Sequence, residues 1–389
     1  MVESPGEKTA VAKRMGLRQY IRQKPVMLAL LAVLAVIGFG AVSGLSRGYR
    51  AQRESLGNRW FSRGVADLSA GHFASAVTDF RAALLYSRDN YDYQLNLAEA
   101  LIGLGRTIEA HSYLVNLWDR EPENGVVNLD LARIAAQRGQ REQAQRFYHN
   151  AIYATWPRDQ EGKRRDTRLE LIEYLLSINA RAQAQSESIA LEENLGDDPS
   201  QQERVGDLFL RAQDYEHALA AYHLSLRSDR HNEAALAGAG WAAFELGRYA
   251  LAERYLEAAV ASNLGDTQSA DRLKTTELVL RQDPFRRQIS GVQRNEIVGE
   301  AFATAGQRLK SCGVSASSAV PTAAQPNLAD SWAKMKPRIS QEHLGRNPDL
   351  VEQAMDLVFT IERQTSASCG PPAGADLALL LIAKLHEGN

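Results

Sequence analysis

The chain has only two cysteines, Cys312 and Cys369, and no C-x-x-C pair. That excludes a c-type haem attachment site and a thioredoxin-like redox motif, and neither cysteine lies near enough to the N-terminus to carry a lipid there. Catalytic signatures are missing as well. The sequence has no G-x-S-x-G, no P-loop, no H-E-x-x-H and no G-x-G-x-x-G set between a strand and a helix. His217, His223 and His231 come nearest to a metal cluster, yet no two of them are four residues apart, the spacing that places two imidazoles on one helix face. No catalytic residue, metal or cofactor is therefore expected. Binding, not chemistry, is the expected activity, with an enzyme site hidden in residues 285–389 as the remaining alternative.

Charge is absent from one stretch in particular. Residues 25–46 contain no Asp, Glu, Lys or Arg. About 20 helical residues at roughly 1.5 Å each cover the 30 Å core of a bilayer, so this run predicts a transmembrane helix. A cleaved signal peptide shares the basic start and the apolar run. The run, however, exceeds the usual length of roughly 7 to 15 residues, and no small-x-small cleavage site follows it. Within the span, Gly40 and Gly44 stand four apart, a spacing that lets two membrane helices touch, and a homodimer through the span is one expectation.

The net charge of −2 hides a strong segregation. Residues 1–65 carry eleven Lys/Arg against Glu3, Glu7 and Glu54, while the remainder carries 34 against 44 Asp/Glu. An acidic remainder repels a phosphate backbone, so nucleic acid is not an expected partner, whereas the basic flanks suit anionic lipid head groups. The tail before the span, residues 1–24, holds Lys8, Lys13, Arg14, Arg18, Arg22 and Lys24. The positive-inside rule keeps such a tail cytoplasmic and sends the rest across, into the periplasm of a bacterium with the span in its inner membrane. Arg47, Arg50, Arg53, Arg59 and Arg63 on the other flank act against that orientation. Two cysteines, each in a Ser-Cys-Gly context, suit one disulfide in an oxidising compartment, the alternative being two buried thiols.

Behind a juxtamembrane segment, residues 47–56, the sequence repeats at about 34 residues. Six segments align from residues 57, 91, 125, 165, 199 and 233. The first reads Trp60, Gly64, Gly71, Phe73, Ala76, Phe80 and Ala83. The second answers with Leu97, Ala98, Leu101, Gly105, Ala110, Leu114, Leu117 and Pro122. Counting the first residue of each segment as 1, small residues recur at positions 8 and 20, where two helix backbones approach, and large ones at 4, 11 and 24 fill the space around them. Gly71, Gly105, Gly139, Gly247 and Asn179 fall where the first helix of each pair must end. This pattern resembles the tetratricopeptide repeat (TPR) over residues 57–266. The resemblance implies an all-α chain in which a transmembrane helix precedes a TPR α-solenoid. The fourth segment departs from the pattern, with Ser188 where a large residue is expected and a charged insert at residues 159–166.

Helical periodicity continues through Thr267–Gln282 and from Phe285 to Lys310, and residues 267–312 are expected to cap the array. Residues 313–327 read as a linker of small residues and prolines. In the C-terminal region, residues 328–389, Asn347-Pro348 starts a helix whose Leu350, Ala354, Leu357, Val358 and Ile361 share a face. Asp376–Leu385 is apolar nearly all round and needs something to bury against.

In the TPR family the first helix of each pair lines a concave groove through positions 2, 5, 9, 12 and 13. The resemblance places Phe61, Val65 and Leu68 there, then Leu95, Glu99 and Ile102, then Leu129 and Arg133. Leu169, Glu173, Leu176, Asp207, Leu210, Trp241 and Phe244 follow. So apolar a face implies either a groove for a peptide or helix of another protein, or one filled by the chain's own tail. Family members that clamp a chaperone's C-terminal carboxylate use Lys and Asn where this chain has Phe61 and Val65, so that clamp is not expected. The functional expectation is a membrane-anchored scaffold that binds envelope proteins during assembly, secretion or chaperoning of a complex. A permanent subunit of a larger membrane complex is the alternative.

Overall fold

The computed structural model describes residues 8–315 and 328–387, apart from residues 157, 194, 196 and 197, and side chains only from residue 27 onward and not at 314 and 315. The side chains of the basic tail and most of the expected linker thus lie outside the described residues. Eighteen α-helices and one short 3-10 helix are described, and the one β-feature among these residues is an isolated bridge between Asn124 and Thr155. The chain divides into two compact units, residues 1–167 and 168–389.

The first unit opens with α1, Lys8–Ser69, an unbroken helix of 62 residues. The apolar span, the expected juxtamembrane segment and the first helix of repeat one are all parts of it. From Met27 onward it is long and apolar enough to cross a membrane, and its apolar side chains, such as Leu28, Val36 and Phe39, are exposed. The rest of the unit alternates first and second helices: α2 (Phe73–Tyr86), α3 (Tyr91–Gly103), α4 (Thr107–Arg120), α5 (Gly125–Gln137) and α6 (Arg141–Tyr153). Helix α7, Gln160–Ser177, takes in most of the charged insert, which is therefore an extended helix start.

In the second unit α8 (Arg181–Glu192), α9 (Pro199–Arg211), α10 (Tyr215–Ser228), α11 (Glu233–Glu245) and α12 (Tyr249–Ser262) continue the alternation. Helices α13 (Thr267–Gln282), α14 (Gly291–Ser315), α15 (Leu328–Met335), α16 (Gln341–Arg346), α17 (Pro348–Cys369) and α18 (Ala375–Leu385) follow. Val279, Phe302, Met355, Val358, Leu379 and Ile382 belong to one hydrophobic core that joins this last group of helices. The periodic stretch from Phe285 becomes helical only at Gly291. Cys312 at the end of α14 and Cys369 at the end of α17 form a disulfide with their Cα atoms 5.7 Å apart.

Two recurrent local devices fix the helix boundaries. Asn90, Asn124, Asp198, Asn232 and Asp266 each cap the helix that follows, their side chains accepting from backbone N–H groups of its first turn. At the turn between paired helices the backbone is left-handed: φ is 76° at Gly71, 80° at Gly105, 70° at Gly139 and Gly247, 58° at Asn179 and 63° at Gln213. The next N–H then reaches back to the carbonyl five residues earlier, as from Arg106 to Leu101 at 2.8 Å and from Asp214 to Phe209 at 2.9 Å.

Close backbone approach explains the small positions. A Cβ on Gly64 would meet the Phe80 ring at 2.6 Å, and one on Gly206 would meet Tyr222 at 2.7 Å. The fourth repeat exchanges the two sizes. Ile172 stands at the small position and Ser188 at the large one, both fully buried, so the departure from the pattern is a swap of volume between the two helices.

Candidate protein-binding surface

In the first unit the expected groove residues lie on α1, α3 and α5. Phe61 is half-buried because it stacks on Tyr93 at 4.9 Å and tilts against Phe80 at 5.8 Å, so this ring binds repeat one to repeat two. The Tyr93 hydroxyl strengthens the same joint by donating to Asn58 at 2.7 Å. Val65 is 38 % exposed, whereas Leu68, Leu95, Ile102 and Leu129 are half-buried. Two charges punctuate this apolar row. Burial raises the pKa of the Glu99 carboxyl, and the positive charge of Arg133 on α5 opposes the rise. Arg133, itself exposed, lies 3.5 Å from Asp130.

The second unit places Leu169, Glu173 and Leu176 on α7, Asp207 and Leu210 on α9, and Trp241 and Phe244 on α11. Leu169 is buried, while Leu176 and Leu210 are half-buried. Glu173 is exposed but occupied, since it accepts both hydrogen bonds of an Arg211 fork at 2.8 and 2.6 Å. That bidentate contact holds the Glu173 carboxyl below its usual range. Asp207 accepts from the Tyr222 hydroxyl at 2.6 Å, which ties α9 to α10. The Trp241 ring lies 3.8 Å beneath the Arg272 guanidinium of α13, and its indole N–H donates to Glu245 at 3.2 Å. Phe244 meets Tyr249 edge-on at 5.6 Å and packs against the C-terminal core. Both aromatic residues are thus engaged by the chain itself.

Arg211, Arg272, Tyr93 and Asn58 shape these rows and were not singled out from sequence. Their partners lie one repeat away, 38 residues for Arg211 and 35 for Tyr93. A position-by-position comparison of charges in successive repeats is the signal that finds the Arg211 pair. The three histidines stand apart, His217 on Asp214 at 2.8 Å, His223 against Tyr255 and His231 with its N–H on Asp229. No group of three potential metal ligands occurs among the described residues. Around Gly40 and Gly44 nothing lies within 4 Å of an added Cβ.

The family model of the tetratricopeptide repeat matches residues 101–155, from the end of α3 through α6. Six helix pairs with the same left-handed turn extend that match in both directions. These are tetratricopeptide repeats. No curated protein matches the chain. Among solved TPR structures, pilF of Pseudomonas aeruginosa is 17 % identical, with 56 % of this chain and 97 % of that one covered at a TM-score of 0.39. YrrB, described as a TPR protein with an unusual peptide-binding site, is 13 % identical, with 49 % and 95 % covered and a TM-score of 0.39. The TPR2AB domain of yeast Sti1 in a pHSP90 complex is 16 % identical, with 56 % and 94 % covered and a TM-score of 0.25.

Proposed function

We propose that this TPR chain is a membrane-anchored scaffold that holds another envelope protein against its first-unit row. One observation carries the reading. Helix α1 runs without a break from the apolar span into repeat one, and Val65, Leu95, Ile102 and Leu129 present an apolar row beside Glu99 and Arg133. An apolar row rimmed by charge suits an amphipathic helix or extended segment of a partner. Trp241 and Phe244 drop out of the partner surface, because α13 and the C-terminal core engage them. Anchoring in the bacterial inner membrane, with the N-terminus cytoplasmic and the repeats periplasmic, belongs to the same proposal. It rests on the uncharged span and the basic tail.

Affinity capture from crosslinked membranes tests it. Val65→Glu combined with Ile102→Gln is expected to lower recovery of the captured partner at least about tenfold, the scale of a lost interface anchor, with helical content and membrane association unchanged. Undiminished recovery from the double variant would reject the first-unit row as the partner surface.

A further inference from the structure

Helices α10 and α12, the second helices of repeats five and six, frame a cleft of about 690 Å³ that none of the expected groove positions lines. Its apolar lining comes from Ala220, Leu224 and Leu226, and Tyr255 of α12 stands across from them. Arg227 and Arg230 supply two positive charges at its edge, both exposed. Neither has an ion-pair or hydrogen-bond partner among the described residues, in contrast to nearby Arg248, which is taken up by Glu216 at 2.7 Å. His223 completes the lining. Its ring lies 5.6 Å from that of Tyr255, and its Nε2 is enclosed without a hydrogen-bond partner. Burial, aided by Arg227 and Arg248, pushes the imidazole pKa down. Of the acidic groups near the cleft, Glu216 is taken by Arg248 and Asp229 accepts the His231 N–H at 3.0 Å, while Glu253 and Glu257 flank Tyr255 on α12 and Glu233 follows Arg230 by three residues.

Two unpaired guanidinium forks match a carboxylate in geometry and charge. The apolar lining and the Tyr255 ring beside them leave room for a side chain, which a bare inorganic anion would not fill. A volume of this size falls in the range of about 300–1,000 Å³ that small ligands and peptide side chains occupy. We propose that this cleft is a second binding site, which takes an acidic residue and its apolar neighbour from a peptide segment of a partner protein. The site is independent of the first-unit row, since it uses different helices and a different unit of the chain.

The test uses the full chain in detergent micelles and fluorescence anisotropy of a labelled hexapeptide of alternating glutamate and leucine, with a glutamine–leucine counterpart as control. The glutamate peptide is expected to bind at least about tenfold more tightly than the control. Arg227→Gln with Arg230→Gln should abolish that difference while leaving circular dichroism unchanged. Equal affinity for the two peptides, or undiminished binding by the double arginine variant, would overturn the proposal. So would displacement of the peptide by inorganic phosphate at the same concentration as by unlabelled peptide, because the cleft would then recognise the anion alone.

Discussion

Glu362 lies on α17 with no exposed surface, and Arg308 of α14 stands 3.9 Å from it. The same guanidinium reaches Asp376 at 3.7 Å and donates to the Gly370 carbonyl at 2.8 Å, so it is shared, and neither Glu362 carboxylate oxygen has a hydrogen bond. Burial first, and the Asp376 charge second, push the Glu362 carboxyl up to about 8. A carboxyl whose pKa is higher in the folded than in the unfolded chain binds its proton more tightly when folded. Its stabilisation is therefore complete at low pH and is lost as the pH rises from about 4.5 through about 8. Thermal melts across that window should show Glu362→Gln with a flatter pH profile and, at pH 8, a stability gain on the order of 1 kcal/mol from removing an uncompensated buried charge. A wild-type profile that rises towards pH 8 would contradict this sign. The turn residues give a second prediction. Gly105→Ala places a Cβ at φ 80° and should cost about 1 kcal/mol, whereas Gln213→Gly relieves the same strain at φ 63° and should raise the melting temperature. Sequence shows the glycines and Asn179 at this turn because those residue types favour it. Gln213 is not legible, since nothing about glutamine marks a left-handed backbone and only its place in the repeat does.

Among the elements, α1 shows most clearly where sequence patterning stops. The uncharged run marks the span and the 34-residue period marks repeat one, but the ten residues between them carry neither signal. Their helicity comes from continuity: with both neighbours helical and no glycine or proline beyond Gly48 to interrupt, the segment propagates without a new nucleation step. The C-terminal helices show the opposite case. The apolar run Asp376–Leu385 announces that it must be buried, yet periodicity cannot name the cover, which is α13, α14 and α17. Likewise, Ser188 looks like a failed repeat until Ile172 is seen to supply the missing volume. The disulfide joins two of these elements across a separation of 57 residues. Its reduction is expected to lower the stability of the α13–α18 region by up to about 4 kcal/mol in the chain-entropy account. Alkylation of freshly prepared, unreduced protein followed by mass mapping should find Cys312 and Cys369 joined in one crosslinked peptide pair, and two alkylated thiols would contradict the bond.

For the whole molecule, the expected groove divides into parts of different character. In the first unit the row on α1, α3 and α5 keeps exposed apolar surface at Val65, while in the second unit α13 and the C-terminal core engage Trp241 and Phe244. The sequence lists both sets at equivalent repeat positions, because the residues that cover the second set lie outside the repeats that define those positions. On the proposed topology, protease added to spheroplasts should digest the repeats and spare the first 24 residues, and protected repeats would reverse the orientation. The central claim, a first-unit row that meets a partner while the second-unit aromatics meet the chain itself, is tested most directly by placing a photocrosslinking residue at position 65, 102 or 244 of the full chain in cells. Positions 65 and 102 should yield adducts to another protein and position 244 only intrachain products, whereas intermolecular adducts from 244 with none from 65 or 102 would contradict the account.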